Sequence, residues 1–336
     1  MKKLAVLLVI TVVVIFNSCK EGITGPIEPE AGKRDYVWSV DTLGDTRTNQ
    51  LWGMSYNDVY ALDPQPYKYG KLWHIDGLNW INKPFYSPSQ AQSFFGTSPT
   101  NIWFVSRFEH SIWLYNGIES KMHTDIKLED FPEVIIIDMY GNAPWDVYGV
   151  GRAVRHSPQS VTLGVIIHYD GLKWNYLDIP ILEANFTNVY VDEYNGVIIQ
   201  GYNRLSWTNT IWYYENNNIR EIGSNDGSYN VAILKNGTIA SSKKKVYSLN
   251  KGNLKEILDF NGIESPINGI WGRTTNDFFV IVNNGIAHYN GTDLKVIYPL
   301  YNTSVLDAII FDKEVVFLVF DEVKRNTLII CGKLKE

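Results

Sequence analysis

Three stretches of this chain repeat one module, and copies too small to bury their own apolar faces can fold only by stacking or by arranging themselves around an axis. The copies read Trp52-Gly53, Asn57-Asp58-Val59-Tyr60, then His74-Ile75-Asp76-Gly77 and Trp80; Tyr140-Gly141, Trp145-Asp146-Val147-Tyr148, then His168-Tyr169-Asp170-Gly171 and Trp174; and Trp271-Gly272, Asn276-Asp277-Phe278-Phe279, then His288-Tyr289-Asn290-Gly291. Within each copy, short runs alternate apolar and polar residues between turn residues. That period of two belongs to half-buried strands, and helical periodicity is nearly absent. The chain reads as all-β.

Each copy supplies four strands. The run before the first turn, as in Val134 to Tyr140, is rich in small and apolar residues and suits an innermost position. The run after it, as in Val147 to Val150, packs between units. A third runs into Asp-Gly or Asn-Gly, a two-residue hairpin signal, and a fourth begins near Trp80 or Trp174. Weaker copies fill the gaps at Gly96 to Gly117, Gly196 to Tyr214, Asn236 to Tyr247 and from Glu314 onward. With Val59, Ile102, Val147, Val197, Thr238, Phe278 and Val315 as markers, the separations are 43, 45, 50, 41, 40 and 37 residues. Seven such units predict a seven-bladed β-propeller of four-stranded antiparallel blades. The seventh unit has only three strands, and an orphan strand, Tyr36 to Val40, stands ahead of the first. Pairing the two completes the last blade from both ends of the chain and hides its open edge.

Ahead of that strand, Lys2 and Lys3 precede an apolar run from Leu4 to Phe16, 13 residues long and so short of a membrane-spanning helix. It reads as a signal peptide over 1–18. Residues 19–34 are rich in Gly, Pro and Glu without hydrophobic periodicity, a flexible tether, and 35–336 form the propeller domain. Without Lys2 and Lys3 the chain carries 28 basic and 36 acidic residues, a formal charge of −8, so nucleic acid is not an expected partner. Of the two cysteines, Cys19 belongs to the N-terminal segment and Cys331 sits in an apolar strand, so neither a disulfide framework nor a cysteine zinc site is available.

The repeat also limits where chemistry can lie. A ring has one centre, so His74, His168 and His288, which occupy the same place in three units, are explained by blade structure, as are Asp58, Asp146 and Asp277, expected to bond turn backbone. Asp-Gly-x-x-Trp invites comparison with the Asp-box of sialidase-like propellers, but Asp76-Gly77 and Asp170-Gly171 are adjacent where that motif separates them. No nucleophile elbow, zinc-binding helix or phosphate loop appears, so no catalytic or metal residue and no cofactor is assigned. A Ca²⁺ ion is compatible with a propeller channel, although no segment has the spacing of a dedicated loop.

What departs from the repeat carries more information. Connections between second and third strands share one face with the interblade loops, and they are long early in the chain: Asp63 to Gly70, Gly151 to Thr162 and Tyr202 to Asn209. They carry Tyr67, Tyr69, Arg152, Arg155, His156, Tyr202, Arg204 and Trp207, with Arg107 and Phe108 in the shorter loop of the second unit. Aromatic faces beside Arg donors suit recognition of a glycan, a peptide or a protein surface.

Ser18-Cys19 at the end of the apolar run resembles the lipobox of bacterial lipoproteins. With the tether and the Asn-Asp-Val-Tyr to His-x-Asp-Gly-x-x-Trp repeats, the chain resembles β-propeller lipoproteins of Bacteroidota-type bacteria. That resemblance implies acylation of Cys19, cleavage just before it, and an outer-membrane lipoprotein in the cell envelope. The expected function is a monomeric, lipid-anchored binding module presenting its loop-rich face to a glycan, peptide or envelope protein. The alternative is a carbohydrate-active hydrolase or lyase using two unrepeated carboxylates near the channel, with Glu109, Asp192 and Glu193 as candidates.

Overall fold

The computed structural model describes residues 32–44, 48–64, 70–75, 79–83, 91–106 and 110–335. Cys19, the signal peptide, most of the tether, and Tyr67, Tyr69, Arg107, Phe108 and Glu109 lie outside the described residues. The described strands form seven four-stranded antiparallel sheets, each made of strands adjacent in sequence except the last. The inner strands of blades one to seven are Gln50–Ser55, Ala91–Ser98, Glu133–Ala143, Ala184–Val191, Tyr229–Leu234, Asn268–Thr274 and Thr303–Ile310. Blade seven continues through Glu314–Asp321 and Asn326–Leu334 and takes Tyr36–Gly44 as its outer strand, with Tyr36 opposite Leu334 and Thr42 opposite Leu328. The closure expected from the orphan strand is the one that forms.

Strand alternation sends one set of side chains to the preceding blade and the other to the following one. In blade one, Val59 and Ala61 join the cluster shared with blade seven, whereas Tyr60 and Leu62 join Phe94, Ile102 and Phe104 of blade two. The described core consists of such clusters, one at each blade junction. No single centre exists; the ring is held by the sum of its junctions.

The aromatic-Gly pair has a local cause. Just after Gly53, Gly141 and Gly272 the ladder slips by one residue. A Cβ on those glycines would lie 2.7, 2.3 and 2.8 Å from the carbonyl oxygens of Asp58, Asp146 and Asp277. The Asp-Gly and Asn-Gly turns differ from the expected two-residue hairpin. Tyr169 pairs with Trp174, which leaves a four-residue turn in which Asp170 Oδ1 accepts the N–H groups of Leu172 and Lys173. The side chain replaces a backbone acceptor, and Gly171 supplies the positive φ of 90°.

Two early loops are shorter than the sequence suggests, because their flanking strands run on. Arg152 and Arg155 belong to the strand Asp146–Arg155, and Tyr202 to Val197–Asn203. Apolar residues at Ala153 and Val154 extend the ladder, and only 156–160 and 204–207 remain as connections.

At the ring's seam, the Tyr36 hydroxyl accepts a hydrogen bond from Arg273 at 2.9 Å, and the Tyr36 ring packs edge-on against Phe279. Trp38 covers Gly332, where a Cβ would meet its ring at 2.7 Å. Tyr36→Ala is expected to cost about 3 kcal/mol, read as a lower urea midpoint. Deleting Tyr36–Gly44 should bare the edge of Asn326–Leu334 and produce strand-paired dimers in sedimentation velocity.

Candidate functional site

The repeated histidines form a blade clamp. His74, His168 and His288 each place Nε2 2.7 Å from a carboxylate oxygen of Asp58, Asp146 or Asp277. Each imidazole also lies against its cross-strand aromatic partner, Tyr60, Tyr148 or Phe279, with ring centroids 4.3 to 4.4 Å apart. The aspartates therefore serve the imidazoles rather than turn backbone. The Asp ends a turn while the His sits on the strand beside it, so the side chains meet before either reaches backbone. Burial pushes the His288 pKa down, against the opposing pull of Asp277. In blade six the clamp is shared: Arg273 reaches Asp277, and Gly32 packs on the pair.

Among the described residues carboxylates do line the channel, but Asp192 and Glu193 are not among them. Asp192 spends its oxygens on the N–H groups of Tyr194 and Gly196 and on the Tyr213 hydroxyl, inside a turn on the opposite face. Glu193 accepts from the Thr238 hydroxyl. The channel carboxylates are Asp138 and Asp307, each following an extra residue in its inner strand, Ile137 and Leu306. Burial pushes their pKa values up to about 6 and about 7, against partial relief from hydrogen bonds. The phenol of Tyr190, buried between blades, is raised first by burial and then by both carboxylates.

These two residues belong to a ring-wide device. The position two residues ahead of the Gly-flanking aromatic, or its equivalent, holds Gln50, Ser93, Asp138, Asn188, Asn230, Gly269 and Asp307. An inner strand has no neighbour on its channel side, so its outward N–H groups need partners. Gln50 Oε1 accepts from Phe94 N at 2.9 Å, Asp138 Oδ2 from Val189 N at 3.0 Å, and Asp307 Oδ2 from Leu51 N at 2.8 Å. Each bond ties a blade to the next. Ser93 links blade two to three by donating to Asp138 Oδ1 at 3.0 Å. The remaining oxygen of Asp307 accepts from Ala308 N. Both carboxylates thus spend their oxygens on protein donors, which is a joint rather than an acid–base pair.

The expected binding residues divide. Arg152 donates to Asn185 Oδ1 of the next blade at 3.0 Å, and Arg155 lies over the Phe131 ring. His156 touches Glu133 at 3.4 Å. Arg152 thus joins two blades, while Arg155 and His156 rest on Phe131 and Glu133. Tyr202 meets Trp207 edge-on, while Arg204, Leu205 and Trp207 stay exposed on a turn whose Asn203 side chain accepts from Leu205 N and Ser206 N. Trp207 is 75% exposed, whereas Thr210 and Ile211 in the strand that follows are buried. The adjoining interblade loop adds Ile181, 82% exposed between Ile179 and Leu182, which pack inward. Arg204 N donates to Glu183 O at 2.8 Å and ties the two loops together. Ile181 was not legible as a site residue, because an Ile among apolar neighbours reads as core. Among the described residues no three His, Cys, Asp or Glu side chains converge on a point.

No protein-family model matches this chain, and no curated protein matches it. Solved β-propellers do resemble it. A structure of YCF48 bound to D1 peptide superposes with a TM-score of 0.62 at 11% identity, covering 91% of this chain and 100% of the other. The WD40 propeller domain of Doa1 gives 0.54 at 11% identity over 89% and 96%. A protein of unknown function from Dyadobacter fermentans gives 0.50 at 12% identity over 88% and 99%. At such identities the likeness establishes the propeller fold, and fold does not confer function.

The channel carboxylates predict a pH dependence. A raised folded-state pKa stabilises the fold below the ordinary carboxylate range and loses that contribution as pH rises through about 6 for Asp138 and about 7 for Asp307. Relative to Asp307→Asn, which does not titrate, the wild-type protein should lose roughly 1.4 kcal/mol of stability per pH unit between about pH 4 and pH 7. Urea unfolding across that range measures it.

Proposed function

We propose that this protein is a lipid-anchored binding module of the cell envelope whose loop-rich face engages a protein partner. The observation that carries the proposal is the exposed apolar group Ile181, Leu205 and Trp207, held on two loops tied by the Arg204–Glu183 bond. Soluble surfaces scatter single apolar residues; a large aromatic grouped with aliphatic neighbours beside Arg204 has the composition of an interface centre. The peptide held by YCF48 supports the reading by showing that a propeller of this size can serve such a role.

The path of the chain near Gly32 agrees with anchoring through Cys19. Gly32 N donates to Asn290 O, and Arg34 pairs with Asp293, on the turn between the third and outer strands of blade six. That turn belongs to the face opposite the loops. A lipid on Cys19 would tether the propeller through the residues that precede Gly32.

Two measurements test this function. Cys19→Ser should move the protein from the membrane to the soluble fraction and abolish labelling by an alkyne fatty acid; retention of label would remove the anchor. In cross-linking of intact cells, one reproducible envelope protein should be recovered with the wild type. At least tenfold less should be recovered with Ile181→Ser/Leu205→Ser/Trp207→Ser, while Trp145→Ser/Leu172→Ser on the opposite face leaves it unchanged. Equal recovery by the first variant would sink the assignment of the face.

A further inference from the structure

The stitching ring is incomplete, and its gap coincides with a cavity. From blade seven through blades one, two and three to four, the ring position ties each blade to the next. Among the described residues, Asn188 and Asn230 make no such bond, and Gly269 has no side chain to make one. A cavity of 340 Å³ opens at these three positions on the loop side of the channel, bounded by blades four to seven. Its volume falls in the range of small-molecule sites.

The lining specifies the chemistry. Asn188, Asn209, Asn230 and Gln200 line it with amides and Ser228 with a hydroxyl, while Thr187 and Thr210 donate theirs to Gln200 O and Thr208 O. Gln200 is only 6% exposed, and its Nε2 meets no protein acceptor. Asp307 is the one ionisable carboxyl in the lining, and both its oxygens are committed to Leu51 N and Ala308 N. Among the described residues no Lys or Arg lines the cavity, so an anion finds no counter-charge there. An aliphatic side chain would strand the amides without partners, which costs about 1–3 kcal/mol for each buried group. A dense array of neutral donors and acceptors beside aromatic faces matches a ring that carries hydroxyls on its edge and C–H groups on its faces.

Trp271 supplies such a face. It lies on the inner strand of blade six and lines the cavity, and its ring covers Gly269 so closely that a Cβ there would sit 2.1 Å from Cη2. Gly269 also holds φ at +71°, so the extra residue and the indole are set together.

We infer that the cavity between blades four and seven, lined by Asn188, Gln200, Asn230 and Trp271, is a binding site for a neutral saccharide unit. The site is separate from the apolar group at Trp207 and does not depend on a protein partner there. In it, the amides that would otherwise stitch blades four, five and six bond sugar hydroxyls, and the indole covers a C–H face.

The test is an array of neutral glycans probed with the full chain in detergent, followed by titration of each hit on Trp fluorescence; a blocked dialanine amide serves as an uncharged peptide comparator. At least one saccharide should bind, and the dialanine amide should not. Asn188→Leu/Asn230→Leu, which keeps side-chain volume and removes both amides, should weaken binding at least tenfold with an unchanged far-UV spectrum. Should that variant fail to fold, Ser228→Trp at the exposed rim closes the mouth without touching the ring and should give the same loss. No saccharide binding by folded wild-type protein overturns the inference, as does binding that survives a folded variant. Binding of the dialanine amide alone would reassign the cavity to peptide backbone. Each result is independent of the cross-linking outcome at Ile181, Leu205 and Trp207.

Discussion

The inner strands decide what this ring can be. Each has a partner on one side only, and its other edge faces a channel where backbone N–H groups must find acceptors or remain unsatisfied. Gln50, Asp138 and Asp307 answer that requirement by accepting N–H groups of the next blade, so one side chain both satisfies an edge and joins two sheets. The joints require buried acceptors, and two of them are carboxylates whose protonation is shifted by burial. Among the described residues, the two carboxylates most shifted by burial are ones that join neighbouring blades.

The same constraint explains the molecule's asymmetry. Where the acceptor is spent on the next blade, the channel wall is closed; where the position holds Asn188, Asn230 and Gly269, the wall opens into a polar cavity. The cavity and the exposed group around Trp207 lie on the face of the interblade loops, whereas Gly32 and Arg34 occupy the face across from it. Scaffold, polar pocket and apolar rim are thus assigned to different parts of a repeat that began as one module. The departures sit where a copy stops obeying the repeat.

Legibility followed the range of the interaction. The blade count, the strand order within each blade and closure by Tyr36 could be read because strand period and module spacing are properties of neighbouring residues. The structural role of His74, His168 and His288 was also legible from repetition alone, although their bond to Asp58, Asp146 and Asp277 was not, since it joins residues 11 to 22 positions apart. Arg152 and Arg155 were expected on a loop because of its length, whereas they belong to a strand and meet Asn185 and the Phe131 ring of other elements. Trp207 kept its exposure because the Asn203 turn lifts it clear of the ladder.

By itself the sequence determined a seven-bladed ring of four-stranded blades and the seam between Tyr36–Gly44 and Asn326–Leu334. These follow from periodicity, which is written locally in every copy. Only the tertiary structure decided that Asp138 and Asp307 face the channel, that Asp192 does not, and that three ring positions are left unstitched. An inner-strand residue acquires its meaning from the N–H of a strand about 44 to 51 residues onward, or across the seam as from Asp307 to Leu51. That pairing exists only once the ring has closed.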